Sequence, residues 1–330
     1  MKKVLLSAVA AFTLTAGSAW AADLPVKARL VAAPPPPAWD VAFGAGIASD
    51  YIFRGITQSN HKPSASAYFE PRYNFNPDLQ VYAGIAGASI SFPNQAAAEI
   101  DFYAGIRPTF GKLALDFGAL YYYYPGGICK NAFYVGASLD CIVNASPITL
   151  GQPGNFNVIK KDLSFLEGYA RGVFSVTDAF QLGFNSYFTD SFLNSGASGV
   201  YASGTIKYTF PAFTNGVAVY VSGEGGYQWL GTSEDFYGLT GAIGGPGLNF
   251  ADYATWNVGF GLTYKVLALD FRYIDTNLSR ADCNAFTGDH TAGFDSSFSA
   301  NNPSGFGSGW CGARFVVKAT ADITLNANIK

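Results

Sequence analysis

Glu99-Ile100-Asp101-Phe102-Tyr103-Ala104-Gly105-Ile106-Arg107 places every charge on odd-numbered positions and Ile100, Phe102 and Ile106 on even ones. Side chains of a strand alternate between its two faces, so all the charge falls on one side. The same sorting recurs along the chain. Leu113, Leu115 and Phe117 oppose Asp116; Leu267, Leu269, Phe271 and Tyr273 oppose Asp270 and Arg272; Trp256, Val258 and Phe260 form another apolar face. In a soluble β-protein the apolar face is the core. Here about twelve such strands carry aromatic apolar faces and little else exists to cover them. The pattern fits a closed barrel whose outside meets lipid and whose inside is wet.

Strands are predicted at 41–56, 64–75, 79–90, 98–108, 112–123, 163–175, 179–189, 200–210, 216–229, 253–264, 266–275 and 312–321. Each has roughly the length of a tilted membrane strand. Every second connection is short, as at Asn76-Pro77-Asp78, Thr109-Phe110-Gly111, Val176-Thr177-Asp178, Pro211 to Asn215, and Lys265. The others are longer: 57–63, 91–97, 124–162, 190–199, 230–252 and 276–311. Short turns at one end and long loops at the other define an all-β, transmembrane, antiparallel up-and-down barrel, with twelve strands and its ends on the periplasmic side. Boundaries shift by a few residues in such a reading, so ten or fourteen strands are the neighbouring alternatives.

Parity assigns Asp50, Arg54, Glu70, Arg72, Glu99, Asp101, Arg107, Asp116, Glu167, Arg171, Lys207, Glu224, Asp270, Arg272, Arg314 and Lys318 to the lumen, eight acids and eight bases. A charge facing lipid near the midplane costs about 2–4 kcal/mol, which accounts for the strict sorting. Ile47, Tyr51 and Phe53 are expected to face lipid. Tyr121 to Tyr124, Trp229 and Tyr264 are expected in the interfacial girdles. Rows of opposite charge across a lumen filter small polar solutes. The alternative is that they pair and fill the barrel. Eight strands leave room only for side chains and sixteen leave a channel, so twelve falls between. Inward Gly44, Gly84, Gly105, Gly118 and Gly261 argue for free volume, hence for a narrow pore. The long third loop (124–162) is expected to fold inward and narrow it.

The chain start reads as an envelope address. Residues 1–21 have the basic start, apolar middle and Ala19-Trp20-Ala21 site of a secretory signal peptide. Residues 22–40, with Pro34 to Pro37, form an extended periplasmic lead-in; 41–323 are the barrel and 324–330 a short tail. The four cysteines fall only in long loops. An oxidising compartment favours disulfides, and loop locality favours Cys129–Cys141 and Cys283–Cys311 over the other pairings. Their spacings fit no zinc site. No metal or cofactor is expected.

Catalytic chemistry has few candidates. His61 and His290 lie in loops, away from any strand-end Ser and acid, so an enzyme is not expected. Asp282, Asp289 and Asp295 lack the spacing of a calcium loop. The charge balance of 20 Lys and Arg against 23 Asp and Glu gives no basic patch for nucleic acid.

The segment Ala48-Ser49-Asp50-Tyr51-Ile52-Phe53-Arg54-Gly55-Ile56-Thr57-Gln58-Ser59 resembles the opening signature of the TorF family of envelope proteins. Tyr82-Ala83-Gly84-Ile85, Glu99 to Gly105, Tyr121 to Pro125, Glu167 to Gly172 and Arg314-Phe315-Val316-Val317 are also similar to that family. The resemblance implies an outer-membrane β-barrel with a pore, and brings no substrate and no catalytic residue. Outer-membrane barrels usually end on an aromatic residue read by the barrel assembly machinery. This sequence ends Thr324 to Lys330 without one, and Ile323 is expected in that place. The reading is therefore a cell outer-membrane barrel of a Gram-negative bacterium. It sits among outer-membrane lipid and lipopolysaccharide, as a monomer by preference, and passes small hydrophilic solutes or ions by diffusion. The alternative is a closed or plugged barrel displaying disulfide-bonded loops for adhesion, partner binding or envelope integrity.

Overall fold

The computed structural model describes residues 37–128, 158–237 and 246–329. Signal peptide, most of the lead-in, Cys129 and Cys141 lie outside them, as does most of the third long loop.

Twelve strands close into one antiparallel barrel. They are β1 (Trp39–Ala48), β4 (Ser64–Asn76), β5 (Leu79–Ala88), β6 (Glu99–Phe110), β7 (Leu113–Tyr123), β8 (Phe165–Ser175), β9 (Phe180–Thr189), β10 (Gly199–Thr209), β11 (Ala218–Leu230), β12 (Tyr253–Tyr264), β13 (Leu267–Thr276) and β16 (Arg314–Thr324). Four short strands belong to loops: β2 (Ile52–Phe53), β3 (Ile56–Thr57), β14 (Gly293–Ser297) and β15 (Gly305–Gly307). Neighbours in sequence are neighbours in space, and β1 pairs with β16 to close the ring. Closure leaves no unpaired strand edge, which a lipid environment demands.

The short turns are set by local chemistry. Asp78 N–H donates to the Asn76 side chain at 2.8 Å, an Asx turn. Lys265 takes a left-handed φ of 53° to connect β12 to β13 with almost no loop. The outward face is apolar and bare: Phe69, Phe102, Phe117, Leu166, Phe184, Ile206, Val258 and Phe260 are all exposed. On a water-soluble protein so large an apolar belt has no counterpart. It is the surface of a barrel that spans a membrane.

The first predicted strand is shorter than expected. β1 leaves the sheet at Ala48, and residues 49–63 turn inward instead of continuing along the wall. Alternation runs on past the true strand end because β2 and β3 are themselves a hairpin. Tyr51 and Phe53, expected against lipid, are buried at 5% and 8% exposure inside the barrel mouth. The tyrosine run also divides by parity. Tyr121 and Tyr123 are exposed, whereas Tyr122 and Tyr124 point inward and are buried.

A short helix, α1 (Arg280–Thr287), lies in the last long loop. Ser279 caps it by accepting from Asp282 N–H at 3.0 Å, and Gly288 ends it in the left-handed region at φ 61°. Cys283 on this helix is bridged to Cys311, with Cα atoms 6.0 Å apart. The second expected bridge, Cys129–Cys141, falls outside the described residues.

Candidate functional site: a charged lumen under a loop-built cap

At the long-loop end of the barrel the connections pack on one another. Phe53, Ile56, Phe92, Ile159, Leu163, Phe192, Phe250 and Trp310 come from six different loops, and join Tyr122, Phe165, Leu230 and Tyr253 from the wall in one buried apolar cluster. Rings stack within it, as Tyr122 on Phe165 at 4.5 Å between centroids. The cluster lies across the mouth.

The innermost piece of this cap is the hairpin of the first loop. Arg54 (φ 47°) and Gly55 (φ 82°) have the positive φ values of a two-residue type I′ turn. Arginine is disfavoured there, and its surroundings offset the strain. Arg54 Nη2 meets Glu167 Oε2 at 2.7 Å and Nη1 donates to Gln228 Oε1 at 3.0 Å. The guanidinium also lies within 6 Å of the rings of Phe53, Tyr187, Phe192 and Tyr201. Asp50 fixes the loop's base. It accepts from Ser59 Oγ at 2.9 Å and Arg314 Nη1 at 3.2 Å, and from Thr57. Both residues are inside the barrel, but on an inserted loop rather than on the wall.

Below the hairpin the wall carries two ionic networks. Glu70 accepts from Arg72 Nε at 2.6 Å and Arg107 Nη1 at 2.8 Å; Arg107 reaches Asp116 at 3.3 Å, and Arg171 pairs with Asp116 across the β7–β8 ladder. Opposite, Arg272 grips Asp270 in a two-pronged contact at 2.8 and 3.0 Å and donates to Ser222 at 3.1 Å. Lys318 is in register with Asp270, Lys207 lies 4.9 Å over the Tyr220 ring, and Glu224 accepts from Tyr201 at 3.1 Å. Glu99 accepts from Tyr124 at 2.8 Å and from Tyr51. Asp101 is buried beside it.

The inward glycines do not supply free space. A Cβ on Gly44, Gly84, Gly105, Gly118, Gly226 or Gly261 would collide with the ring of Tyr68, Tyr103, Tyr82, Tyr169, Tyr201 or Tyr220 respectively. Each glycine is the seat of a tyrosine reaching across from a neighbouring strand. Sequence reading located Gly44, Gly84, Gly105, Gly118 and Gly261 on the right face but did not single out Gly226, and it missed the tyrosines beside them.

Solvent contact varies along the wall, and Glu70, Arg72, Arg107 and Arg272, in the middle or short-turn half, are buried in their ion pairs. Asp116, Arg171, Lys207, Asp270 and Lys318, all in the middle or short-turn half of their strands, are partly exposed. Glu99, Asp101, Glu167 and Arg54, toward the cap, are at most 4% exposed. The loop acids have structural partners. Asp289 accepts from Ser308 Oγ at 2.7 Å, and Asp295 pairs with Arg280 at 2.7 Å. Hydrogen bonding from Ser297, with Arg280 added, holds the Asp295 carboxyl below its ordinary range. Among the described residues there is no group of three or more His, Cys, Asp or Glu able to hold a metal.

Residues 32–144 match the model of a family described as a bacterial protein of unknown function, Gcw_chp. The match covers about a third of the 330 residues. No curated protein sequence matches the chain. Among solved structures, the NanC porin is similar at 6% identity and a TM-score of 0.42, covering 85% of this chain and 98% of that one. The KdgM porin is similar at 9% identity and a TM-score of 0.35, covering 86% and 98%. LpxR from Salmonella typhimurium is similar at 9% identity and a TM-score of 0.38, covering 86% and 99%. Such low scores carry no argument about activity, and the functional reading rests on the geometry above.

Proposed function

We propose that this protein is an outer-membrane, porin-like channel for small hydrophilic solutes or ions, shut in the present conformation by its first loop. The observation that carries the reading is that closure at the long-loop end is made by a loop-borne hairpin rather than by the wall. Beneath it the wall is polar, and Asp116, Arg171, Lys207, Asp270 and Lys318 keep partial exposure. The hairpin's tip is held by one ion pair, one amide and ring contacts. Its base is held by the Asp50–Arg314 pair, the Tyr51–Glu99 contact and Thr57 N–H donating to Trp310 O at 3.1 Å. All are non-covalent contacts of a loop, so the stopper is removable. On this reading the charges of the wall, Arg72, Arg107, Asp116, Arg171, Lys207, Asp270, Arg272 and Lys318 among them, face the permeating solute, and an ordinary signal peptide delivers the chain to the envelope. The proposed membership in the TorF family agrees with the inserted Ser49 to Ser59 segment being its most specific motif.

A second reading is favoured by the apolar cap and the tyrosine-filled glycine seats. In it the barrel is permanently sealed and displays its bridged loops to a partner. Liposome swelling separates the two. Vesicles carrying a variant lacking Ile52 to Thr57 should swell in small sugars faster than vesicles carrying the intact chain. Equal, negligible swelling from both folded barrels would favour the sealed display barrel.

A further inference from the structure

The groups that hold the Arg54 guanidinium belong largely to the barrel wall. Glu167 stands on β8 and Gln228 on β11. Tyr187 and Tyr201, on the two strands between, set their ring centroids 5.0 and 4.8 Å from the guanidinium carbon. Other wall contacts fix these groups in place. Gln228 Nε2 donates to Val200 O at 3.1 Å and to Trp229 O at 3.0 Å, which leaves its Oε1 for Arg54. Tyr122 on β7 donates to Glu167 Oε2 at 3.1 Å, and Tyr201 donates to Glu224 at 3.1 Å. None of these four bonds is made by the first loop, so none is lost when the hairpin leaves.

Arg54 uses this pocket incompletely. It meets Glu167 through Oε2 alone, at 2.7 Å. Glu167 Oε1 and Arg54 Nε are both buried, with no hydrogen-bond partner among the described residues. A guanidinium and a carboxylate pair best through two parallel N–H···O bonds, and a buried polar atom left unpaired is costly. Arg54 enters from a turn with φ 47°, which fixes the root of its side chain. A free guanidinium has no such tether and can turn its fork onto both oxygens. We propose that this wall pocket is a binding site for guanidinium-bearing solutes, which Arg54 fills as a tethered stand-in while the hairpin is inserted. Glu167 supplies the charge, Gln228 a further acceptor, and Tyr187 and Tyr201 the ring faces for a planar cation. An ammonium is a point charge and lacks the planar fork. Access to the pocket rests on the hairpin being removable, as proposed above; the pocket itself does not. The tether gives Arg54 a high effective concentration, so a solute competes poorly against it in the intact chain.

The test is calorimetric titration of folded, heat-modifiable barrels in detergent with methylguanidinium chloride. The variant lacking Ile52 to Thr57 should bind it saturably, and the intact chain at least tenfold more weakly. Arg54→Gly, which suits the positive φ, takes its place if the deletion does not fold. Adding Glu167→Gln to either variant should weaken binding at least tenfold, and methylammonium should bind at least tenfold more weakly than methylguanidinium. Absence of saturable binding in a folded variant, binding indifferent to Glu167→Gln, or methylammonium bound as tightly would each overturn the site. Calorimetry does not need a conducting barrel. Saturable, Glu167-dependent binding by a variant that passes no ions would uphold the site and remove the channel, whereas a conducting variant that binds nothing would remove the site alone.

Discussion

At the scale of single residues, the barrel rests on two sorting rules. The first is lipid outside. Phe117 lies near the middle of β7 and is exposed on the outer face. Phe117→Arg should lower unfolding stability in a bilayer by about 2–4 kcal/mol. An unchanged denaturant midpoint would remove Phe117 from the lipid belt. The second rule is the pairing of glycine with tyrosine inside. Gly84→Ala should cost on the order of 1–3 kcal/mol by overpacking against Tyr103. Adding Tyr103→Ala should recover part of that loss, and strictly additive effects in the double-mutant cycle would mean that the two do not touch. The lipid rule was legible in the sequence because charge has only one affordable face. The glycine rule was not, because a glycine on an inward face looks the same whether water or a ring lies above it.

Among elements, the first loop carries the proposed closure. Its reading as the end of a long strand failed at Ser49. That residue still holds the sheet, its N–H donating to Val317 O at 2.9 Å, while the chain beyond it turns inward. Alternation alone cannot distinguish a strand in the wall from a hairpin beneath a cap. Arg54-Gly55, a turn pair with positive φ, is the local signal that could have done so. Arg54→Asn keeps a residue suited to that turn but removes the ion pair. It should leave Glu167 buried and uncompensated and loosen the hairpin, with a stability loss of about 3–5 kcal/mol if the loop stays inserted. A smaller loss with new protease cleavage between residues 50 and 60 would mean that the loop has swung out. Unchanged stability and unchanged protease resistance would contradict the role given to Arg54. The last loop depends on its bridge. Cys283→Ser with Cys311→Ser should expose residues 288–307 to proteases while leaving the barrel heat-modifiable, since the bridge closes a 28-residue separation outside the wall. Cleavage patterns identical to the wild type would show that packing alone holds that loop.

For the molecule as a whole, strand number, the alternation of short and long connections, and the sign of each face were readable in advance, since closure in lipid allows few other arrangements. The cap was not readable. Its residues come from six loops separated by whole hairpins, and no period in the sequence joins Phe53 to Phe92, Phe192, Phe250 and Trp310. On the proposed reading, that cap makes the difference between an open pore and a closed one. The most direct measurement is single-channel conductance in a planar bilayer, comparing the intact chain with the variant lacking Ile52 to Thr57. The account predicts a quiet baseline for the intact barrel and stable ohmic steps for the variant. Large steady steps from the intact chain, or silence from a folded variant, would contradict it.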